Sequence, residues 1–202
     1  MEFLLIASVH FMALLSPGPD FFLIMQTSLR MPLRYAFAVC LGIATANGLY
    51  LLIAVAGLEV VKEMTSLMLI LKYLGGGYLF YIGILLLRTP ARSLEYETNV
   101  SCLHVKSIRH QFAIGFVSAI LNPKNAIFYL SLFTVMVSPE TPFVIRALYG
   151  LWMTGIVLVW DMGVAGLLGN QKIKKWLGNW IFLIEKVAGG VLAFFGVLLT
   201  CR

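Results

Sequence analysis

The sequence predicts an all-α integral membrane protein of six transmembrane helices, built as two inverted three-helix repeats with helices 1 and 4 broken at the midplane. Three observations carry this reading. Of the 202 residues, 60% are apolar and only 12% charged, against roughly 45–50% and 25% in soluble domains. The apolar residues fall into blocks long enough to cross ~30 Å of hydrocarbon at ~1.5 Å per residue. A glycine–leucine pattern recurs in the two halves, and the first helix of each half carries a central proline break.

The blocks run near residues 3–28, 35–57, 66–88, 112–137, 143–168 and 181–200. The first starts MEF with no basic flank, outruns the apolar core of a signal peptide and is followed by no A-x-A site, so it is read as a retained helix. Segment 89–111 mixes both signs of charge with Asn, Ser and His, and is the one connection with the character of a linker. It divides a single transmembrane domain, 1–202, into halves 1–88 and 112–202. Cys40, Cys102 and Cys201 are scattered, which suggests neither a disulfide framework nor a metal site, and no cofactor is expected.

Charge sets the orientation. Taken alternately, one set of connections holds Arg30, Arg34, Arg88, Arg92, Lys106, Arg109, Lys172, Lys174 and Lys175, while the other, with the C-terminus, holds Lys62, Arg146 and Arg202. Because basic loops stay cytoplasmic, both termini are expected on the non-cytoplasmic side. The net charge of +6 is spread over these short loops. Anionic lipid headgroups suffice as its partner, and no nucleic acid is implied.

Residues 76–86, GGYLFYIGILL, and 189–199, GGVLAFFGVLL, share the pattern GGxLxxxGxLL at an offset of 113. The breaks SPGPD at 16–20 and NPKN at 122–125 recur in corresponding helices. Each half has an odd number of helices, so the second enters the bilayer from the opposite side and the repeat is inverted.

The breaks are where chemistry is expected. Proline removes a backbone donor and clashes with the preceding turn, so the first half-helix should end near Leu15 and the next start at Pro19 with Gly18 as its cap. In the second break Asn122 is a good cap and Pro123 takes the first helical position, followed by Lys124 and Asn125. Amides freed within a bilayer must face protein or a wet cavity. Two positive half-helix ends then converge near the midplane, an arrangement by which secondary transporters bind an anionic group. Ser16, Pro17, Gly18, Pro19, Asp20, Asn122, Pro123, Lys124 and Asn125 are the candidate substrate-binding residues. Proline kinks that only improve packing would not need charges, each costing at least ~2.5–3.5 kcal/mol at the bilayer centre.

Other polar residues within the blocks have plainer alternatives. His10 is a candidate proton relay, although a lone helix histidine is more often hydrogen-bonded to a nearby carbonyl. Asn47 and Tyr129 either line a cavity or bond between helices. Lys72 and Glu185 are equivalent in the repeat but lie near opposite faces. Lys72 and Lys186 are expected to snorkel to headgroups, Glu185 to pair with a cytoplasmic base, and His104 and His110 to sit in the loop. Gly75–Gly77, Gly189 and Gly190 read as packing residues.

VHFMALLSPGPDFFLIMQTSL, KYLGGGYLFYIGILLLR, ILNPKNAIFYL and EKVAGGVLAFFGVLL, in this order over nearly the whole chain, resemble the LysE/RhtB family of bacterial amino-acid exporters, the first stretch most of all its threonine/homoserine branch. The resemblance implies a multi-pass carrier of the bacterial inner membrane exporting amino acids by proton antiport. Two departures stand out: VWDMG places Asp161 where related proteins tend to have an aromatic pair, and Asn125 replaces the alanine that usually follows NPK. Both point to a more polar pocket.

The expected function is export of small zwitterions. Asp20 takes the substrate ammonium or the coupling proton, with Asp161 and His10 as further coupling candidates, and Lys124 with the helix ends takes the carboxylate. The expected partners are an amino acid, a proton and membrane lipid, and the sequence leaves a homo-oligomer open. A cation exporter of the same architecture gains little from scattered cysteines. A membrane enzyme would need a nucleophile and base or metal ligands, and neither HExxH nor GxSxG is present. A non-transporting scaffold would leave the charged breaks without a purpose.

Overall fold

The computed structural model describes residues 2–16, 18–61 and 105–168, with separate positions within 70–88 and 180–198. Among the described residues six helices are continuous: α1 (Glu2–Leu15), α2 (Pro19–Arg30), α3 (Leu33–Val61), α4 (Ile108–Ile120), α5 (Pro123–Met136) and α6 (Phe143–Leu168). There is no strand among the described residues.

Local chemistry explains where the helices stop. α1 ends at Leu15, Gly18 is extended at φ −119° and ψ −172°, and Pro19 opens α2. The two helices meet at a bend of 55°. Asn122 accepts the Lys124 amide at 3.1 Å through its side chain and Pro123 starts α5. The carbonyl of Ile120, at the end of α4, receives the Tyr50 hydroxyl from α3. Backbone groups released by a break have to be satisfied by protein or water, and Tyr50 and Asn122 do part of that. Met31 is extended because Pro32 follows it, which separates α2 from α3.

Among the described residues, two helices are long and apolar enough to span a bilayer unbroken: Leu33–Leu58, with mean hydropathy 2.0, and Phe143–Leu168, with 1.7. Together α1 and α2 qualify as a third, broken span. α6 turns Gly150, Met153, Val157, Asp161, Val164 and Leu168 inward at helical spacing. Its other face exposes Val144, Leu148, Leu151, Val159 and Leu167, an apolar surface suited to lipid.

α3 is the central helix, packed against α2, α4, α5 and α6. It meets α4 backbone to backbone: a Cβ on Gly42 would lie 2.7 Å from the Phe116 amide, and one on Gly115 would lie 2.9 Å from the Val39 carbonyl carbon. Only glycine permits that approach. Gly83 and Gly196 are equally confined. A Cβ on Gly83 would meet the Gly189 carbonyl at 2.7 Å, and one on Gly196 would meet the Gly76 carbonyl at 2.7 Å.

Contacts at the two ends fix which connections lie together. The Glu2 carboxylate accepts from the Ser138 amide and the Thr141 hydroxyl, joining the start of α1 to the α5–α6 connection. At the other end the Tyr35 hydroxyl reaches the Lys106 carbonyl at 3.5 Å, beside the Arg34 guanidinium.

Two expectations change. α4 begins at Ile108, inside the segment read as linker, because Ser107 caps it by accepting the His110 amide at 3.4 Å. His110 is therefore a helix residue. Lys186 donates to the Leu87 carbonyl. Lys72, His104, Glu185 and most of segment 89–111 lie outside the described residues.

Candidate functional site

Two apolar clusters make up the interior. One gathers Ile6, Val9, Leu51, Phe128, Tyr129, Phe133 and Met153, and the other Leu23, Ile24, Val39, Ile43, Ala119, Val157 and Leu168. A polar cavity of about 80 Å³ takes its walls from both, since Phe128 and Tyr129 line it together with Ile43 and Val157. At about 10–15 Å³ per water position, that is room for several waters or part of a small solute.

The breaks α1–α2 and α4–α5 meet at this cavity and are tied to each other in both directions. Asp20, in the first turn of α2, accepts from Ser118 Oγ at 2.7 Å through Oδ1 and from Asn125 Nδ2 at 2.9 Å through Oδ2. In return Lys124, in the first turn of α5, donates through Nζ to Ser16 Oγ at 3.0 Å. Gly18 lies beside it, a Cβ at that position coming into ordinary contact with Lys124 Nζ at 3.9 Å. The N-terminal turn of α5 adds partial positive charge beside the Lys124 ammonium.

Of the residues singled out from the sequence, His10, Ser16, Gly18, Asp20, Asn122, Lys124, Asn125 and Asp161 all line this cavity. Pro19 and Pro123 start their helices, and Pro19 is not part of the wall. Pro17 lies outside the described residues. Asn47 and Tyr129 take the cavity-lining alternative.

His10 departs from the commoner expectation. Both its ring nitrogens are buried with no hydrogen bond among the described residues, and no backbone carbonyl receives it. Its ring lies among Phe128, Tyr129 and Trp152, with centroids 5.9–6.4 Å away. Asn47 Oδ1 and Asp161 Oδ2 are likewise buried without a partner among the described residues.

Sequence reasoning missed Ser118 and Tyr50. Ser118 had a signal, being the one hydroxyl in the run IGFVSAI that leads into NPKN. Tyr50 had none, because its role depends on α3 passing the end of α4.

The cavity thus holds two carboxyl groups, one ammonium and several amide and hydroxyl groups, within walls that are otherwise apolar. Such a site can hold a small dipolar solute by both ends.

The chain has relatives among known proteins. The sequence profile of the family described as "LysE type translocator" matches residues 11–202. The "Threonine efflux protein" of Escherichia coli (strain K12) is 31% identical, over 98% of this chain and 96% of its own length. That of Salmonella typhi is 28% identical over the same shares. An "Uncharacterized membrane protein YrhP" of Bacillus subtilis (strain 168) is 27% identical over 92% of each. No solved structure gives a significant match.

Proposed function

The chain belongs to the LysE type translocator family, and from that premise we propose that it exports small amino acids, threonine among them, across the bacterial inner membrane in exchange for protons. The observation that carries the reading is the reciprocal tie between the breaks, Asp20 to Ser118 and Asn125, and Lys124 to Ser16, around a polar cavity. The name of the efflux relatives supports threonine as the first substrate to test.

In this reading the substrate carboxylate displaces Ser16 as the partner of Lys124 and lies against the first turn of α5. An ion pair replaces an ammonium–hydroxyl bond there. Asp20 carries the coupling proton. Ionised, it only accepts, which suits both Ser118 and Asn125; protonated at Oδ2, it presents a donor to the Asn125 amide nitrogen, which cannot accept. The tie between the halves then loosens. Proton binding and rearrangement of the breaks are linked through that one bond.

The same proposal includes six spans arranged as an inverted repeat with broken helices 1 and 4 at the midplane. The confinement of Gly83 by Gly189 and of Gly196 by Gly76 supports it: with the offset of 113, these two pairs exchange under a two-fold relation. The end carrying Arg34 and Lys106 faces the cytoplasm and Glu2 faces away from it.

Cells expressing the chain and loaded with labelled threonine test the reading. It expects faster loss of label than from cells without the chain, and little gain with the Lys124→Gln variant. Equal loss from both cell types in the presence of the correctly inserted chain contradicts it.

A further inference from the structure

The cavity wall has an unmet demand that the ties between the breaks do not use. Asp161 Oδ2, Asn47 Oδ1 and both His10 ring nitrogens have no hydrogen-bond partner among the described residues. Asp161 is 9% exposed, Asn47 4% and His10 0%. They come from three different helices, α6, α3 and α1, and all line the same cavity. Buried acceptors left unmade are costly, and a buried carboxyl group that ionises without a cation costs more. Asp20 differs, since each of its oxygens already accepts from the other half of the chain.

What the group lacks is donors and positive charge. An ionised carboxylate and an amide oxygen only accept, and a neutral imidazole offers one further acceptor nitrogen. Water would bring donors without charge. A primary ammonium brings three N–H groups and the charge together.

We propose that Asp161 and Asn47, with one ring nitrogen of His10, form the site for the ammonium of the transported amino acid. This rests on the amino-acid reading given above and deepens it. The ammonium binds between α6, α3 and α1, the carboxylate binds at Lys124, and Asp20 is left to tie the two breaks together. The rings of Phe128, Tyr129 and Trp152 hold the imidazole of His10 in place. Asp161 therefore makes the pocket selective for solutes that carry a cation as well as a carboxylate.

The test compares three probes on the purified, detergent-solubilised full chain: L-threonine, 3-hydroxybutanoate, which lacks the ammonium, and 1-amino-2-propanol, which lacks the carboxylate. Asp161→Asn is nearly isosteric and removes the charge. It should weaken threonine and 1-amino-2-propanol about tenfold or more while leaving 3-hydroxybutanoate no weaker than in the unchanged chain. Asn47→Leu should shift affinities in the same direction by a smaller factor. Retained binding of 3-hydroxybutanoate shows in the same sample that the cavity is intact. Equal weakening of all three probes, or threonine affinity within about twofold of the unchanged chain, overturns the assignment. If the unchanged chain binds 3-hydroxybutanoate but neither amine, the ammonium site is wrong while carboxylate recognition stands. If it binds none of the three, the amino-acid reading itself fails and the ammonium site with it.

Discussion

Asp20 on α2 accepts a 2.9 Å hydrogen bond from Asn125 on α5, joining the first turns of two half-helices 105 residues apart in the chain. Both residues sit directly after a helix-starting proline, or one residue beyond it. Each break therefore supplies the side chain that the other holds.

Asp20→Asn keeps the size of the side chain and one acceptor, and removes the titratable group. The variant should insert normally and lose up to ~1.5–3 kcal/mol of stability with the charged bond. Its threonine export should no longer respond to an imposed pH gradient. Export measured across a range of external pH checks this, and a response equal to that of the unchanged chain would make Asp20 structural.

Lys124→Gln tests recognition of the carboxylate. Threonine affinity should fall about tenfold or more, while that of 1-amino-2-propanol changes little, because only the charge-assisted contact is lost. Combining it with Asp20→Asn should leave threonine as weak as in the Lys124 variant. Recovery of threonine affinity in the double variant would mean that Lys124 serves mainly to balance Asp20.

Gly115→Ala tests the contact between α3 and α4. Its Cβ would press on the Val39 backbone, which cannot move aside as a side chain can, so the melting temperature in detergent should drop by the equivalent of ~1–3 kcal/mol. Gly155→Ala is the control, since nothing lies within 4 Å of its Cβ. That variant should melt at or above the unchanged chain, alanine being the better helix former.

These contacts also show what could be seen in the sequence. Leu15, Pro19, Asn122 and Pro123 mark helix ends that were legible because proline and capping chemistry act within a few residues. The rotation of each helix was not. Met153 and Val157 face inward while Val159 and Leu151 face outward, and all four are apolar. Where lipid replaces water, hydrophobic periodicity loses its contrast. The shared wall of His10, Asn47 and Asp161 could not be assembled from spacing alone for that reason. His110 was misplaced because segment 89–111, with both signs of charge among Asn, Ser and His, read as a linker, whereas Ser107 already marked the start of a helix.

Orientation follows from charge and can be checked independently. A reporter that is active only in the cytoplasm should work when inserted near Ser101 and fail when fused after Arg202. The reverse pattern would invert the chain in the membrane and put the Glu2 end inside.

Reconstitution gives the most direct measurement of the central claim, that the cavity between the two breaks exchanges an amino acid for a proton. Purified chain in liposomes loaded with labelled threonine and a pH-sensitive dye should release label faster when the outside is made acidic. The lumen should acidify in step with release, and both effects should vanish with Asp20→Asn although that variant still binds threonine. Release at one rate with and without the gradient, or undiminished coupling in the Asp20 variant, would contradict the account.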